Sequence, residues 1–555
     1  MAFCGNCANS SRTRAMNEPD LIFISQSDAA NYDEYSALPL ERIELFKELI
    51  YPRMVYFKGG FRSHIDVYNY YLHGGFYKDA ACPQKKKMLN IWNLPGFNGI
   101  HLADYLSRHN INTKIINNFD TNRDDLCAAY ASCSIKPLIA ISTTFHLSFS
   151  ETRRISKQIH TMLPGASIVL GGAFINERFI NGQHAELEAA MRKNKIKYAI
   201  HSFNSETDLK DLVLAIKENK RPEGVNNLLY FISEDFKTSE LRATVERWNE
   251  PILGGLSRLD RVNVEFIHDT VQIRSSSGCP FSCAFCSYPT TARGFHVQET
   301  EAFRETIQHV LSKTGARKLI FIDDTLNVPK ARFKELLMIL REHSIEWFSF
   351  LRVQFIDEET AMLMRESGCR AVYLGVESAS DIVLENMNKR ATKAQFLKGI
   401  SLLKKHGIIT IAAFIIGYPG ETDATVEENI RFIENSGIDF YTLKEFYYMK
   451  QTSIYNDREK FGLTGMGSNW THATMDYQTA SRKKAEMFRK IKNSIFIDPD
   501  TSLWSIAYLY DQGFSFEKIQ LLQKDINDIM REQMDGNFSE RTAAHEHIEA
   551  LLTAV

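Results

Sequence analysis

The stretch SSSGCPFSCAFCSYP, residues 275–289, sets Cys279, Cys283 and Cys286 in the spacing C-x3-C-x2-C. Iron–sulfur clusters are held by cysteine thiolates, normally four for a cluster of four irons, so a trio leaves one iron without a protein ligand. An open coordination position is what separates catalytic from structural metal sites. From spacing alone two other readings stay open: a zinc knot with a distant fourth ligand, or buried thiols with no metal.

The surroundings of the trio are those of a barrel. TVQIRSS (270–276), RKLIFIDD (317–324), EWFSFLRV (346–353), RAVYLGVES (370–378), IITIAAFIIG (408–417) and DFYTLKEFYY (439–448) read as strands, separated by helical patterns such as ETEAFRETIQHVLSK and TVEENIRFIENSG. Repeated strand–helix units predict a partial (β/α)6 barrel of the TIM type, with chemistry at the carboxyl ends of its strands. The cysteines fall just after the first of them.

A second alternating series lies upstream. MLNIWNL (88–94), TKIINNF (113–119), PLIAIST (137–143), SIVLGG (167–172) and KYAIHS (197–202) read as buried strands with amphipathic helices between them. Strict alternation predicts a doubly wound, Rossmann-like parallel sheet, because each parallel connection needs a crossover. Ligands of such sheets sit outside the carboxyl ends of the strands. NLPGFNG (93–99), STTFHLS (142–148) and GGAF (171–174) occupy those ends, and their glycines allow a flat ligand to approach the backbone.

The predicted organisation of this α/β chain is therefore a tail and mixed extension over 1–84, a Rossmann-like domain over 85–218, a connector over 219–265, the barrel over 266–455 and a mostly helical region over 456–555. The chain has 555 residues, 44% hydrophobic and 24% charged, with a net charge of −2. That balance argues against the strong basic footprint of a nucleic-acid binder. The N-terminus lacks the apolar core of a secretory signal, and the longest apolar runs, such as TIAAFIIG (410–417), are too short to cross a bilayer. Nine cysteines without such a signal fit a reducing, cytoplasmic setting.

CPFSCAFC resembles the C-x3-C-x-aromatic-C signature of the radical S-adenosylmethionine (SAM) enzymes, with Phe285 as the aromatic. The resemblance extends over about residues 265–455. It implies a [4Fe–4S] cluster on Cys279, Cys283 and Cys286 whose fourth iron is chelated by the amino and carboxylate groups of SAM. One electron from the cluster then cleaves the sulfonium to methionine and a 5′-deoxyadenosyl radical. By the same resemblance FIIGYPGE (414–421) carries Gly417 along the adenine, and LGVES (374–378) sets Glu377 and Ser378 near the ribose or methionyl group. FIDDT (321–325) offers Asp323 and Asp324 to the amino group, and Arg352 is a candidate for the carboxylate.

The upstream domain is similar to the B12-binding domain that precedes the barrel in the cobalamin-dependent (class B) subgroup. Its three ligand loops correspond to Pro95, Gly96, Asn98 and Gly99, to Ser142, Thr143 and Thr144, and to Gly171, Gly172 and Ala173. The D-x-H-x-x-G motif that supplies histidine to cobalt elsewhere is missing; His101 and His146 lie near the loops, where a histidine is more often packed or hydrogen-bonded. Together the cofactors imply a methyltransferase in which the adenosyl radical activates an unreactive centre, carbon or phosphorus, and methylcobalamin delivers the methyl group. The partners this implies are a small-molecule or peptide substrate and an electron donor such as flavodoxin or ferredoxin, with no nucleic acid and no membrane.

Competing readings are a radical cyclase or ring-rearrangement enzyme on the same scaffold and a non-catalytic cobalamin or redox sensor. A tRNA methylthiolase is disfavoured because Cys82, Cys127 and Cys133 are scattered rather than grouped as a second trio. Cys4 and Cys7 read as an inert tail pair, Cys369 as a buried thiol, and Tyr447 and Tyr448 as aromatic core or cavity lining.

Overall fold

Every residue of LIFISQ, 21–26, is buried. Ile22 and Ile24 join an apolar cluster with Ile116, Ile139, Ile141 and Ile168, whereas Leu21 and Phe23 join another with Leu138, Ala140 and Val169. Side chains alternate across a strand, so a run buried at every position, apolar from Leu21 to Ile24, is covered on both faces. This segment lies inside a sheet, not in a tail.

The structure is a computed structural model and describes residues 18–28, 53–77, 87–146, 148–202, 205–232, 235–238, 269–291 and 294–554. The chain divides into two compact units, one of residues 1–29, 95–252 and 256–266, the other of residues 30–94, 253–255 and 267–555.

The first unit is a sheet of β1 (Leu21–Gln26), β2 (Thr113–Asn118), β3 (Leu138–Ser142), β4 (Ile168–Gly171), β5 (Tyr198–Ile200), β6 (Leu228–Ile232) and β7 (Asp235–Thr238) in the order β2-β1-β3-β4-β5-β6-β7. Strands β1 to β5 pair in parallel. Helices Phe149–Met162, Ala173–Ile180 and His184–Lys193 cover one face through Ile155, Ile159, Phe174 and Leu187. Phe97–Arg108 and Glu206–Lys217 cover the other through Leu102, Leu106, Leu209 and Leu212. The architecture is doubly wound.

Two sequence-based expectations change. MLNIWNL is not a strand: Ile91–Asn93 forms a 3-10 turn capped by the Asn90 side chain, which accepts from the Trp92 N–H. The backbone of Leu89 is satisfied by the Asn69 amide, at 2.7 and 2.8 Å, in place of a ladder. The strand expected there is β1, which comes from the segment assigned to the N-terminal extension. Residues 219–265 are also more than a connector, because β6 pairs antiparallel with β5 and β7 antiparallel with β6, extending the sheet. Cys4, Cys7 and Cys82 lie outside the described residues, as does all of the predicted connector after 238.

The second unit is built on β8 (Thr270–Ile273), β9 (Lys318–Phe321), β10 (Glu346–Leu351), β11 (Cys369–Glu377), β12 (Ile409–Ile416), β13 (Phe440–Glu445) and β14 (Ile495–Phe496), all parallel and paired in chain order. The first six are the strands expected from sequence, with helices 300–314, 330–341, 358–366, 393–405 and 423–435 between them. The short β14 adds a seventh. Beyond it lie helices Ser502–Asp511, Phe516–Met534 and Ala543–Thr553. The hairpin Val55–Phe57/Gly60–Arg62 belongs to this unit, with Phe57 stacked on His545 at 5.6 Å. Among the described residues no helix is long and apolar enough to cross a membrane.

The placement of β1 is testable. Ile24 is 1% exposed, so Ile24→Ala leaves a cavity and costs about 3 kcal/mol. Ile91→Ala, in the half-buried turn, costs about 1 kcal/mol or less. Urea denaturation of both variants checks this; equal losses would contradict the assignment.

Candidate active site and ligand loops

The cysteine loop leaves β8 and is fastened at its root by a carboxylate from the end of β9. Asp323 accepts the Ser275 N–H at 3.1 Å, the Ser275 hydroxyl at 2.8 Å and the Ser276 hydroxyl at 2.6 Å. Complete burial pushes its carboxyl up, while those donors and Arg332 pull it back. Arg332 itself donates to the Ser275 carbonyl at 2.9 Å and the Gln298 carbonyl at 3.0 Å. Ser276–Ser277 then pairs antiparallel with His296–Val297. The crest is held from elsewhere: Ala284 N–H donates to the Met387 carbonyl at 2.8 Å, Asn388 donates to the Ser282 carbonyl at 2.9 Å, and the Ala284 carbonyl accepts from Ile454 at 3.0 Å. Asp323 is thus committed to holding the loop.

Cys283 is buried, and Cys279 and Cys286 are half-buried. Burial pushes the Cys279 thiol up and the Cys286 thiol to about 12, and the neighbouring thiols add to both shifts. The ligating form is the thiolate, so metal uptake has to displace those protons. Among the described residues no three Cys, His, Asp or Glu side chains converge on one metal ion. A four-iron cluster asks for something else, since each cysteine binds a different iron and the thiols need only ring it. Three interacting thiols on one pinned loop suit that demand. Cys127 and Cys133 lie in the first unit, and Cys369 is buried at the start of β11 with its thiol pushed well up.

The strand ends around this loop carry the other expected residues. Asp324 is solvent-accessible yet hemmed in by protein; burial and the charge of Asp323 push it up to about 6, against the pull of Arg274, Tyr288 and the Gly278 N–H. Glu377 sits at a register shift in β11 with φ of +69°, a left-handed conformation that costs a non-glycine residue free energy. Its carboxylate meets Lys389 Nζ at 2.9 Å, and Lys389 lies 5.8 Å from the centre of the Phe285 ring. A Cβ at Gly375 would stand 2.7 Å from Glu377 Oε1 and 3.0 Å from Lys389 Nζ, so glycine there makes room for the pair. Phe285 also meets Tyr418 edge-on at 6.4 Å. Arg352 turns toward the cysteine loop, with one guanidinium nitrogen 3.4 Å from Cys283 Sγ.

Gly417 needs to be glycine twice over. Its φ is +83°, and a Cβ would stand 2.6 Å from both Ala480 Cβ and the Trp470 ring. Its N–H donates to Glu421 and its carbonyl accepts from His472 Nε2 at 3.0 Å. Glu421 also accepts from Asn429 Nδ2 at 3.0 Å, and Asn429 Oδ1 accepts from the Ala379 N–H at 2.6 Å and the Ser378 hydroxyl at 3.4 Å. This network ties the ends of β11 and β12 together. Lys389, Glu421, Asn429 and His472 were missed by the sequence reading; only Glu421 had a signal, as the last residue of the quoted FIIGYPGE. Tyr448 is buried beside Phe446 and Tyr455, while Tyr447 is half-exposed.

In the first unit, Asn98 knits the expected loops. It donates to the Ser25 carbonyl at 3.1 Å and the Ser142 hydroxyl at 2.9 Å, and accepts from the Gly99 N–H at 2.9 Å. Gly96 N–H donates to Asn117 at 3.0 Å, and Thr143 donates to the Gly171 carbonyl through N–H and hydroxyl. Gly172 has φ of +114°, and a Cβ there would stand 3.0 Å from the Thr143 and Thr144 nitrogens. A Cβ at Gly171 would meet nothing within 4 Å, and Thr144 and Ala173 are exposed beside it. Pro95 is buried at the entry of the first loop. This glycine-lined edge fits a large flat ligand. His146 is bonded to Thr152 at 3.0 Å and held neutral by burial, at about 4; His101 stacks on Phe97 and stands 3.5 Å from Glu206.

The β11–β12 network titrates. Burial raises Glu421 from 4.5 to about 7, so the folded chain favours its protonated form. A carboxyl raised on folding contributes stability below its unfolded value that is lost as pH rises through the folded one. Between about pH 4.5 and 7 the second unit therefore loses on the order of 3 kcal/mol that Glu421→Gln retains, as denaturation at pH 5 and pH 8 will show. Parallel curves for the two proteins would refute it.

Comparison with known proteins places this geometry. Residues 273–433 match the Radical SAM superfamily model. The chain is 27% identical over 315 residues to "Uncharacterized methyltransferase PH0819" of Pyrococcus horikoshii, spanning 53% of this chain and 68% of that protein. It is 32% identical over 158 residues to an anaerobic magnesium-protoporphyrin IX monomethyl ester cyclase of Rubrivivax gelatinosus, spanning 28% of each. The fold resembles that of the radical SAM methyltransferase TsrM from Kitasatospora setae with cobalamin and a [4Fe–4S] cluster bound (TM-score 0.55, 16% identity, 80% of this chain and 97% of that one). It also resembles the cobalamin-dependent radical enzyme OxsB with aqua-cobalamin and S-adenosylmethionine bound (TM-score 0.53, 14% identity, 97% and 79%). Residues 273–433 form a radical SAM domain, and in the chain they follow the doubly wound sheet of the first unit.

Proposed function

We propose that this chain is a cobalamin-dependent radical SAM methyltransferase. It would hold a [4Fe–4S] cluster on Cys279, Cys283 and Cys286, bind SAM at the barrel strand ends and bind methylcobalamin at the loops of the first unit. The substrate class is a small molecule or peptide presenting an unactivated carbon or phosphorus. One observation carries the reading: a fold shared over 97% of the chain with a cobalamin- and SAM-bound enzyme, in a sequence that keeps the cysteine trio.

When bound, the cluster and SAM supply a carbon radical able to remove an unreactive hydrogen, and cobalamin supplies a transferable methyl group. The protein's share is to bind, orient and exclude water. Asp324 is the carboxyl left for the SAM ammonium, because Asp323 is occupied by Ser275 and Ser276. The Glu377–Lys389 pair and Phe285 border the same loop, and Gly417 lets β12 turn beside it without a side chain. Thr144, Gly171 and Ala173 would receive the corrin ring and its tail, on loops that Asn98, Ser142, Thr143 and Gly172 hold in place.

A second reading, a ring-forming cyclase, is favoured by the 32% identity to the porphyrin ester cyclase over 158 residues. The two are separated by following the methyl group. Anaerobic incubation of the reconstituted protein with methyl-deuterated SAM, dithionite and a metabolite extract is expected to yield 5′-deoxyadenosine, S-adenosylhomocysteine and a product carrying the intact deuterated methyl. Deoxyadenosine with unlabelled, dehydrogenated product would favour the cyclase and contradict methylation. Asp324→Asn is expected to weaken SAM binding about tenfold, through loss of one charge-assisted hydrogen bond, in an equilibrium dialysis that needs no substrate. Unchanged binding would remove Asp324 from the site.

A further inference from the structure

Arg352 is 6% exposed, and its head is held from several sides. One terminal nitrogen lies 3.4 Å from Cys283 Sγ, and the other donates to the Lys389 carbonyl. The guanidinium carbon sits 3.8 Å over the centre of the Phe281 ring, which in turn stacks on Phe355 at 5.7 Å. The backbone of Arg352 is fixed as well: its N–H donates to Asn327 Oδ1 at 3.1 Å and its carbonyl accepts from Asn327 Nδ2 at 2.8 Å. Lys389, Phe281 and Asn327 help hold this position, and one arm of a permanent cation points at the most buried sulfur of the trio.

Reduction of an iron–sulfur cluster adds one negative charge, spread partly onto its cysteine sulfurs. A hydrogen bond to such a sulfur, from a cation in a poorly hydrated site, favours the reduced state over the oxidised one and raises the potential. We propose that Arg352 sets the reduction potential of the cluster by donating a guanidinium hydrogen bond to the Cys283 sulfur. The step it governs is the uptake of one electron by the cluster from an external one-electron donor, with no bond made or broken and no proton moved. Arg352 is a positioning and tuning residue in this role. The inference rests on the cluster assignment made above.

The test is a redox titration of the anaerobically reconstituted full chain, poised with dithionite and read by electron paramagnetic resonance of the reduced cluster. Arg352→Met is expected to lower the ratio of reduced to oxidised cluster at the wild-type midpoint at least tenfold, a negative shift of about 59 mV or more for one electron. Arg352→Lys keeps a charge without the planar fork and is expected to fall between the two. A methionine variant with full iron content and the wild-type midpoint would overturn the proposal. Should that variant fail to hold iron, the wild type decides: with guanidino-15N arginine, pulsed resonance of the reduced cluster is expected to show a 15N coupling that Arg352→Lys lacks. Absence of that coupling would overturn the proposal equally. A wild type with no iron and no resonance would instead overturn the cluster assignment, and this inference with it.

Discussion

A buried carboxylate with three donors holds the cysteine loop to its barrel. Asp323 emerges from β9 but spends itself on the backbone and hydroxyls of Ser275 and Ser276, four residues and fewer before the first cysteine. Burying a charge is costly unless hydrogen bonds compensate it, and removing the carboxylate would strand the Ser275 N–H and both hydroxyls without partners. The loop that follows has little regular structure of its own. It inherits its place from that anchor and from the Met387–Asn388 and Ile454 contacts at its crest. The backbone that carries the three thiols is thus held by protein contacts alone.

The same economy recurs around the loop. Side chains expected to meet SAM divide into those that build the site and those left open to a ligand. Asp323, Ser378 and the polar groups of Gly417 are engaged inside the protein. Asp324 keeps an accessible face. Glu377 is held by Lys389 in a conformation few residues adopt willingly, and such strain persists only where neighbours over-determine it. In the first unit the division is similar: Asn98 and Thr143 tie the loops, while Gly171, Thr144 and Ala173 leave the surface open.

Periodicity made the barrel legible. Its first six strands are largely apolar runs bounded by amphipathic helices, and the cysteine spacing marked the loop after β8 as the candidate site. The upstream sheet was harder. One of its inner strands, β1, is separated in sequence from β2 by residues assigned to the other unit, so local alternation pointed to MLNIWNL instead. That segment is apolar enough for a strand, but Asn90 and Asn93 let it close into a turn. β14, two residues long, carries no period to detect. Lys389, Asn429 and His472 reach the site from helices and loops whose sequence is ordinary; only the folded chain brings them there. Arg352 was singled out as a candidate for the SAM carboxylate; its orientation toward Cys283, beside Phe281 and Asn327, is a packing fact invisible in a single sequence.

The account stands on the cluster and the corrinoid being held by separate parts of one chain. Metal and cofactor analysis after reconstitution without oxygen tests that most directly, with wild type beside a Cys279→Ala/Cys283→Ala/Cys286→Ala variant. The expected result is about four irons and four sulfides per wild-type chain, lost in the variant, with about one cobalamin retained by both. Iron that survives loss of all three cysteines, or a wild type that takes up neither iron nor cobalamin, would contradict it.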